Sequence, residues 1–338
     1  MEFTTGGQLE IRISAADVGK RVSVRRLTAP GAGTERFTDT VGHLDSWDGG
    51  VLRITRRTGE TVLIDETALV AGKVVPAAPA RRRGPATSAR ELQEVAARGW
   101  PAGETGRLGD WTLRASGGFT ARANSVLPLG ATGLPLSAAL DRIRAWYHER
   151  GLPALVQVAT GDPDQDARLD AALAERGWTD ERHALIRTAA LAPLADTGAD
   201  TSGVLLSREP DEAWLRAYGR TSASVADAVG VLTGGPSVWF ATVPGEPGRP
   251  GGAGPAAIGR CVVDGRWAGF AALAVSPDLR RRGLATLVMA RLAERALDEG
   301  ASAAYLQVEE GNGGAASLYD GLGFTTHHAY HYRREPQP

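Results

Sequence analysis

Two stretches of this chain repeat one pattern, and that repeat constrains the fold more than any other feature. The segment "FTARANSVLPLGATGLPLSAALDRIRAWYHERGLPALVQVATG", from Phe119, aligns with "FAALAVSPDLRRRGLATLVMARLAERALDEGASAAYLQVEEG", from Phe270. Gly133-Leu134 then falls on Gly283-Leu284. In both copies 25 residues separate that glycine from the valine, Val158 or Val308, that closes the next strand. Each copy reads as a strand, an amphipathic helix ended by glycine, and a second strand. In the later helix Ala285, Val288, Met289, Leu292 and Ala296 share one face, and Arg291, Glu294, Arg295 and Asp298 share another. Farther on, Gly177-Trp178 matches Gly323-Phe324. Residues 89–190 and 202–334 therefore read as two copies of one α/β fold. Within the alignment, "FTARANSVLPLG" stands out as unusually polar for a central strand.

Residues 1–75 follow a different rule. "LEIRI", "KRVSVRRL", "FTDTVGHL", "GVLRITRR" and "ETVLIDETALVAGKVV" alternate with period two, separated by "PGAG", "WDGG" and "RTGE". Short alternating runs with turn residues between them predict a small all-β barrel of about five strands, SH3-like in kind. Residues 76–88, "PAAPARRRGPATS", read as a linker, and "PGEPGRPGGAGPAA" (Pro244–Ala257) as an insertion between two strands. The 338 residues carry a formal net charge of −1, which gives no support for a nucleic-acid or membrane-surface partner. The opening "MEFTTGGQLE" has no basic and apolar signal pattern, and Cys261 has no second cysteine to pair with. A cytoplasmic location is expected.

The two copies differ where chemistry would sit. Arg280 of the second is Gly130 in the first, Ala285 is Pro135, Glu309 is Ala159, Asn312 is Asp162 and Tyr319 is Leu173. Apolar framework positions survive and polar ones change, as expected if one copy kept chemistry and the other kept packing. At "AVSPDLRRRGLATL" a strand is broken by Pro277, and three arginines and Gly283 precede a helix. The first N–H groups of a helix lack intrahelical partners and carry the positive end of its dipole, so this junction attracts an anion, a phosphate above all.

Arg280-x-x-Gly283-x-Ala285 resembles the acetyl-CoA signature of the GNAT acetyltransferases, and "AYLQVEEGNGGAASLYDGLGF" resembles the second half of that fold. The good match covers residues 203–334, and the first copy is similar to a degenerate GNAT lobe. The resemblance implies tandem α/β (α+β GNAT fold) lobes behind the barrel, the arrangement of an actinobacterial group often labelled N-acetylglutamate synthase. It implies acetyl-CoA as co-substrate, with no metal. The N–H groups of Arg281, Arg282, Gly283, Leu284, Ala285 and Thr286 would hold the pyrophosphate, and the N–H of Val275 would polarise the thioester carbonyl. The side chains of Arg280, Arg281 and Arg282 would add contacts to phosphate, the alternative for Arg281 and Arg282 being plain solvation.

Tyr319 matches the family's general acid; the other reading is a core aromatic. Asn312 would bond the cofactor or cap the last helix. "WAGFAALAV" has no acidic residue where many relatives carry their base, and Asp264 falls in a hairpin turn. Of Glu309 and Glu310, which follow the strand "YLQV", Glu309 is the expected base, acting through a water, because the first copy has Ala159 there. The other reading is a plain surface carboxylate. His327 and His331 are four apart in a terminal strand, a poor arrangement for a metal. Trp214 and Tyr218, on a helix capped by Asp211, border the acceptor site or pack the core. Arg122 and Asn124 would reach that site from the first copy or tie the lobes together, and Arg260 and Arg266 are further candidates for a substrate carboxylate. The leading expectation is acetyl transfer to a small-molecule amine such as glutamate. One alternative is a protein N-acetyltransferase with the barrel docking its target; another is a non-catalytic acyl-CoA-binding regulator.

Overall fold

The computed structural model describes residues 11–27, 37–56, 59–75, 85–162, 164–220, 224–245 and 254–336. The turn "PGAG", most of the linker and the centre of the Pro/Gly-rich insertion lie outside the described residues.

Among the described residues, six strands build the N-terminal unit: β1 (Ile11–Arg12), β2 (Arg21–Leu27), β3 (Phe37–Asp48), β4 (Val51–Thr55), β5 (Thr61–Asp65) and β6 (Leu69–Val74), in the order β1-β6-β2-β3-β4-β5. The run expected to be one strand, "ETVLIDETALVAGKVV", divides into β5 and β6. Asp65 accepts from Thr67 N at 2.8 Å and closes a short turn over Glu66–Ala68. Val22, Val24, Leu44, Leu52, Ile54 and Ile64 fill the barrel.

The first lobe runs α1 (Ala89–Arg98), β7 (Glu104–Leu108), β8 (Trp111–Ala115), β9 (Leu127–Pro128), α2 (Leu136–His148), β10 (Leu155–Ala159), α3 (Gln165–Ala174) and β11 (Thr179–Ala190), with a short α4 (Ala192–Ala195) leading out. The second runs β12 (Leu205–Ser207), α5 (Glu212–Tyr218), α6 (Val225–Thr233), β13 (Ser237–Val243), β14 (Ala257–Asp264), β15 (Trp267–Val275), α7 (Leu284–Asp298), β16 (Ala303–Glu309), α8 (Gly313–Gly321) and β17 (Thr325–Arg334). The repeat is visible in the backbone: Gly133, three residues ahead of α2, and Gly283, directly ahead of α7, both take left-handed φ, +71° and +81°.

The lobes exchange their last strands. The sheet order is β10-β17-β11-β16-β15-β14-β13-β12, so β17 pairs with β10 of the first lobe and β11 pairs with β16 of the second. One eight-stranded sheet therefore passes through both lobes. On one face α7 packs Val288, Met289, Leu292, Ala293 and Ala296 against β14–β16. Its opposite face is half-buried rather than solvated. Thr201 donates to Glu294 at 2.9 Å, and Arg25 of the barrel donates to the Leu297 carbonyl at 2.9 Å, at the negative end of the helix.

"FTARANSVLPLG" is not a central strand. The parallel neighbour of Val156 is Val126, whereas Phe270 pairs with Leu306, so seven residues separate the pairing residue from its glycine in the first lobe and thirteen in the second. Phe119–Asn124 forms a loop with one 3-10 turn over Ala121–Ala123. Asn124 is the cause. Its Oδ1 accepts from Ser116 N and Gly118 N, and its Nδ2 donates to Phe119 O and Thr120 O, at 2.8–3.0 Å. A side chain that satisfies four backbone groups locally outcompetes a ladder.

Candidate active site

β15 and β16 run parallel only from Trp267/Ala303 to Phe270/Leu306. Beyond that, Ala271–Val275 stays with β14 while Gln307–Glu309 stays with β11, and a V-shaped gap opens between them. At the gap β15 carries a bulge: the ladder slips between Ile258 and Arg260, and Ala272 adopts φ +53°. Ser276 N donates to Ala256 O at 2.9 Å, so alternation turns the Val275 N–H away from β14 and into the gap.

The strand leads into the head of α7. Gly283 is its N-cap with no side chain to cap the helix, and the backbone N–H groups from Arg281 to Thr286 find no acceptor among the described residues. Arg281 sits at φ +61°, a left-handed conformation that is uncommon for a side chain of its size. Arg280, Arg281 and Arg282 are exposed. A row of unpaired donors at a helix N-terminus, ringed by guanidinium groups, fits a pyrophosphate.

In the first lobe the corresponding turn is filled. Asp110 takes the Ala131 N–H on its carboxylate at 3.0 Å and donates its own N–H to Ala131 O at 2.8 Å. A Cβ on Gly130 would meet that carboxylate at 2.6 Å. An internal anion thus occupies the turn at Gly130 and Ala131, the positions aligned with Arg280 and Arg281.

Tyr319, on α8, packs into the core on the α7 side, with its ring edge-on to Phe324 at 5.7 Å. Burial pushes its phenol above the ordinary 10.0, against the nearby Arg187 charge. Arg187 is a buried residue of β11, so the exchanged strand of the first lobe holds this helix: it donates to Ala316 O at 3.3 Å, to Phe324 O at 2.8 Å and to the Asp320 carboxylate. Asn312 caps α8 through Oδ1, which accepts from Ala315 N at 3.1 Å, while its Nδ2 makes no hydrogen bond among the described residues.

Strand alternation puts Leu306 and Val308 on Tyr319's side of the sheet and Tyr305 and Glu309 on the other. Glu309 is 70% exposed, 3.8 Å from Arg220, and lines an open depression of about 550 Å³ with Glu310, Gly311, Arg182 and His183. Arg182 and His183 belong to a bulge in β11, where Arg182 has φ +55°, so both lobes shape this mouth.

Trp214 does not line the site. It is 1% exposed and donates Nε1–H to Ala241 O at 3.2 Å, backing Tyr218, on which it stacks at 5.6 Å. Tyr218 is half-buried and edge-on to Phe119 at 6.3 Å. Arg122 lies 4.8 Å above the ring of Trp100, in the cluster that packs against Ala271, Ala272 and Ala274 of the bulged strand. Arg266 is spent on Ala86 O at 2.6 Å, and Asp264 on Arg98 at 2.7 Å. Trp100, Asp110 and the Ala272 bulge went unread in the sequence. Only "GDW" between two strands carries a turn signal; a positive φ at alanine has no signature.

A family model described as "Probable histone acetyltransferase Rv0428c C-terminal" matches residues 86–333, and one described as "Rv0428c N-terminal Sm-like domain" matches residues 16–73. The "Probable histone acetyltransferase Rv0428c" of Mycobacterium tuberculosis is 30% identical over 327 residues, 95% of this chain and 96% of that protein. The "Uncharacterized N-acetyltransferase YobR" of Bacillus subtilis is 27% identical over 252 residues, 72% of this chain and 97% of that protein. A GCN5-related N-acetyltransferase from Kribbella flavida superposes with a TM-score of 0.54 at 16% identity, covering 75% of this chain and 98% of that one, which supports the fold. With its small N-terminal β domain, its gapped sheet and these matches, the chain belongs to the GNAT family of N-acetyltransferases, within the group of the Rv0428c C-terminal domain.

Proposed function

We propose that the protein transfers the acetyl group of acetyl-CoA to the primary amine of a small acceptor, with glutamate as the first acceptor to test. The observation that carries this is the run of unpaired N–H groups from Arg281 to Thr286, continuous with the β15 segment whose Val275 N–H faces the gap. Those donors would hold the pyrophosphate, with Arg280, Arg281 and Arg282 adding charge, and Asn312 Nδ2 would serve the cofactor from the other wall. The Val275 N–H would stabilise the oxyanion as the amine attacks. Glu309, on the acceptor side, would take the amine's proton through a water. Tyr319, on the opposite side, would give its proton to the departing thiolate as the C–S bond breaks and the C–N bond forms.

A second reading has a specific support: the Mycobacterium tuberculosis relative is named a probable histone acetyltransferase, so a lysine side chain on a protein is the alternative acceptor. CoA release from acetyl-CoA, measured with glutamate, uncharged amino acids, a polyamine and a lysine-bearing peptide, tests both. Glutamate should be the best of the panel. A clear preference for the peptide moves the assignment to protein acetylation, and no turnover with any amine defeats the proposal.

A further inference from the structure

On the acceptor side of the gap, Arg114, Arg122 and Arg260 have no carboxylate partner among the described residues. Arg260 is 1% exposed, and its hydrogen bonds go to carbonyls, Leu232 O at 2.5 Å and Gly234 O at 2.7 Å. Arg114 is buried and bonds Ser125 O, Ser125 Oγ and Gln157 Oε1 at 2.8–2.9 Å. Arg122 makes no hydrogen bond or ion pair at all among the described residues. It shares the ring of Trp100 with Arg260, at 4.8 and 5.1 Å. Arg114 and Arg260 are withdrawn from water without a counter-ion, which is costly, while Arg122 is half-buried beside them. The charge of Arg122 is felt by the phenols Tyr218, Tyr305, Tyr330 and Tyr332, with Glu309 acting on Tyr330 and Asp264 on Tyr305 in the opposite sense.

The loop that carries Arg122 is built to hold one shape. Asn124 satisfies four of its backbone groups, Trp100 Nε1 donates to Thr120 Oγ1 at 2.9 Å, Thr120 is held at φ +56°, and Phe119 stacks on Trp100 at 6.1 Å. Such a construction fixes where a long side chain starts, which is what recognition of a small ligand requires.

We infer that the lobe with the filled phosphate turn supplies acceptor recognition to the other: Arg122 binds a carboxylate of the acceptor, which is therefore an anionic amine of the amino-acid class and not a basic polypeptide. A carboxylate brought to Arg122 provides the missing counter-ion, and Arg114 and Arg260 strengthen its hold. The ammonium end of the same molecule is left for Glu309, which lies beside Tyr330 across β11. This rests on the acetyl-transfer reading for the reaction, not for the binding.

The test compares L-glutamate with its diamide, which keeps the α-amine and loses both carboxylates, in the full chain saturated with acetyl-CoA. The wild type should prefer glutamate. Arg122→Ala should raise the KM for glutamate roughly 10- to 100-fold, the worth of a charge-assisted hydrogen bond, with a smaller effect on kcat, and the preference over the diamide should collapse. Arg122→Lys, which keeps the charge and the packing stem, should recover part of it. Calorimetric titration of L-glutamate into the CoA-loaded protein reads binding without turnover. If no amine is acetylated, yet glutamate binds and Arg122→Ala abolishes that binding, acetyl transfer fails and the Arg122 assignment stands. An unchanged glutamate KM in folded Arg122→Ala overturns the assignment, and so does a wild-type preference for a lysine-bearing peptide.

Discussion

Tyr319 and Glu309 carry the proton traffic of the proposed reaction from opposite faces of one sheet. Burial raises the Tyr319 phenol above 10.0, so it stays protonated across the neutral and mildly alkaline range in which a primary amine becomes free to attack. Tyr319→Phe keeps the ring against Phe324 and removes only the donor. Turnover should fall on the order of 10²-fold, the scale of one general acid, while acetyl-CoA affinity measured by calorimetry stays near that of the wild type. Equal turnover would reduce Tyr319 to packing. Glu309→Gln should lower turnover more than it weakens acetyl-CoA binding, and Glu310→Gln, whose backbone is already tied to His183 O at 3.0 Å, should do little. Two indistinguishable variants would remove Glu309 from the mechanism.

Among the elements, α2 and α7 show what the sequence could and could not say. Both helices were legible, because apolar residues recur on one face and a glycine precedes each. Their N-termini differ in a way that needs three dimensions. Gly130 and Pro135 show that an arginine and a backbone donor have been lost, but not that Asp110, some twenty residues upstream, fills the turn. The loop at Phe119–Asn124 was misread as a strand for a related reason: the alignment fixed the glycine, and the six-residue deletion fell ahead of it, where only Asn124's hydrogen bonds reveal it. Tyr218 is half-buried and Trp214 lies in the core behind it, yet the two look alike in sequence, because helical spacing does not distinguish a site wall from core. The α2/α7 contrast has a direct consequence. Calorimetry should find one acetyl-CoA per chain, and Gly283→Glu should abolish binding, since the new side chain adds bulk and like charge beside the pyrophosphate and is strained at φ +81°. Two equivalent sites would contradict the reading of Asp110 as an internal anion.

At the scale of the whole molecule, exchange of β11 and β17 makes the lobes interdependent, and a buried polar chain runs through the exchanged strand. Arg114 can only donate, so Gln157 presents Oε1 to it and Nε2 to Gln93 Oε1 at 2.6 Å. Gln93 Nε2 then donates to His328 Nε2 at 3.0 Å, which puts the His328 proton on Nδ1, facing His327 Nδ1 at 2.8 Å; His327 Nε2–H ends the chain on Thr87 O at 3.1 Å. These links need His328 neutral, because a second proton on it would confront the Gln93 amide. Burial pushes His328 from 6.5 down to about 4, with the neighbouring His327 acting the same way. The unfolded chain therefore binds this proton between pH 6.5 and about 4 while the folded chain refuses it. The stabilisation is complete above pH 6.5 and is lost as pH falls toward 4, by at most about 3 kcal/mol. Most carboxylates titrate below about pH 4.5, so the interval from pH 6.5 to 5 belongs mainly to the histidines, and a His328 variant singles out this one. Across that interval the wild type should lose more stability in denaturant unfolding than His328→Gln, which can still accept from Gln93 and donate to His327. Parallel slopes for the two proteins would mean that the acid sensitivity of this fold arises away from the exchanged strand.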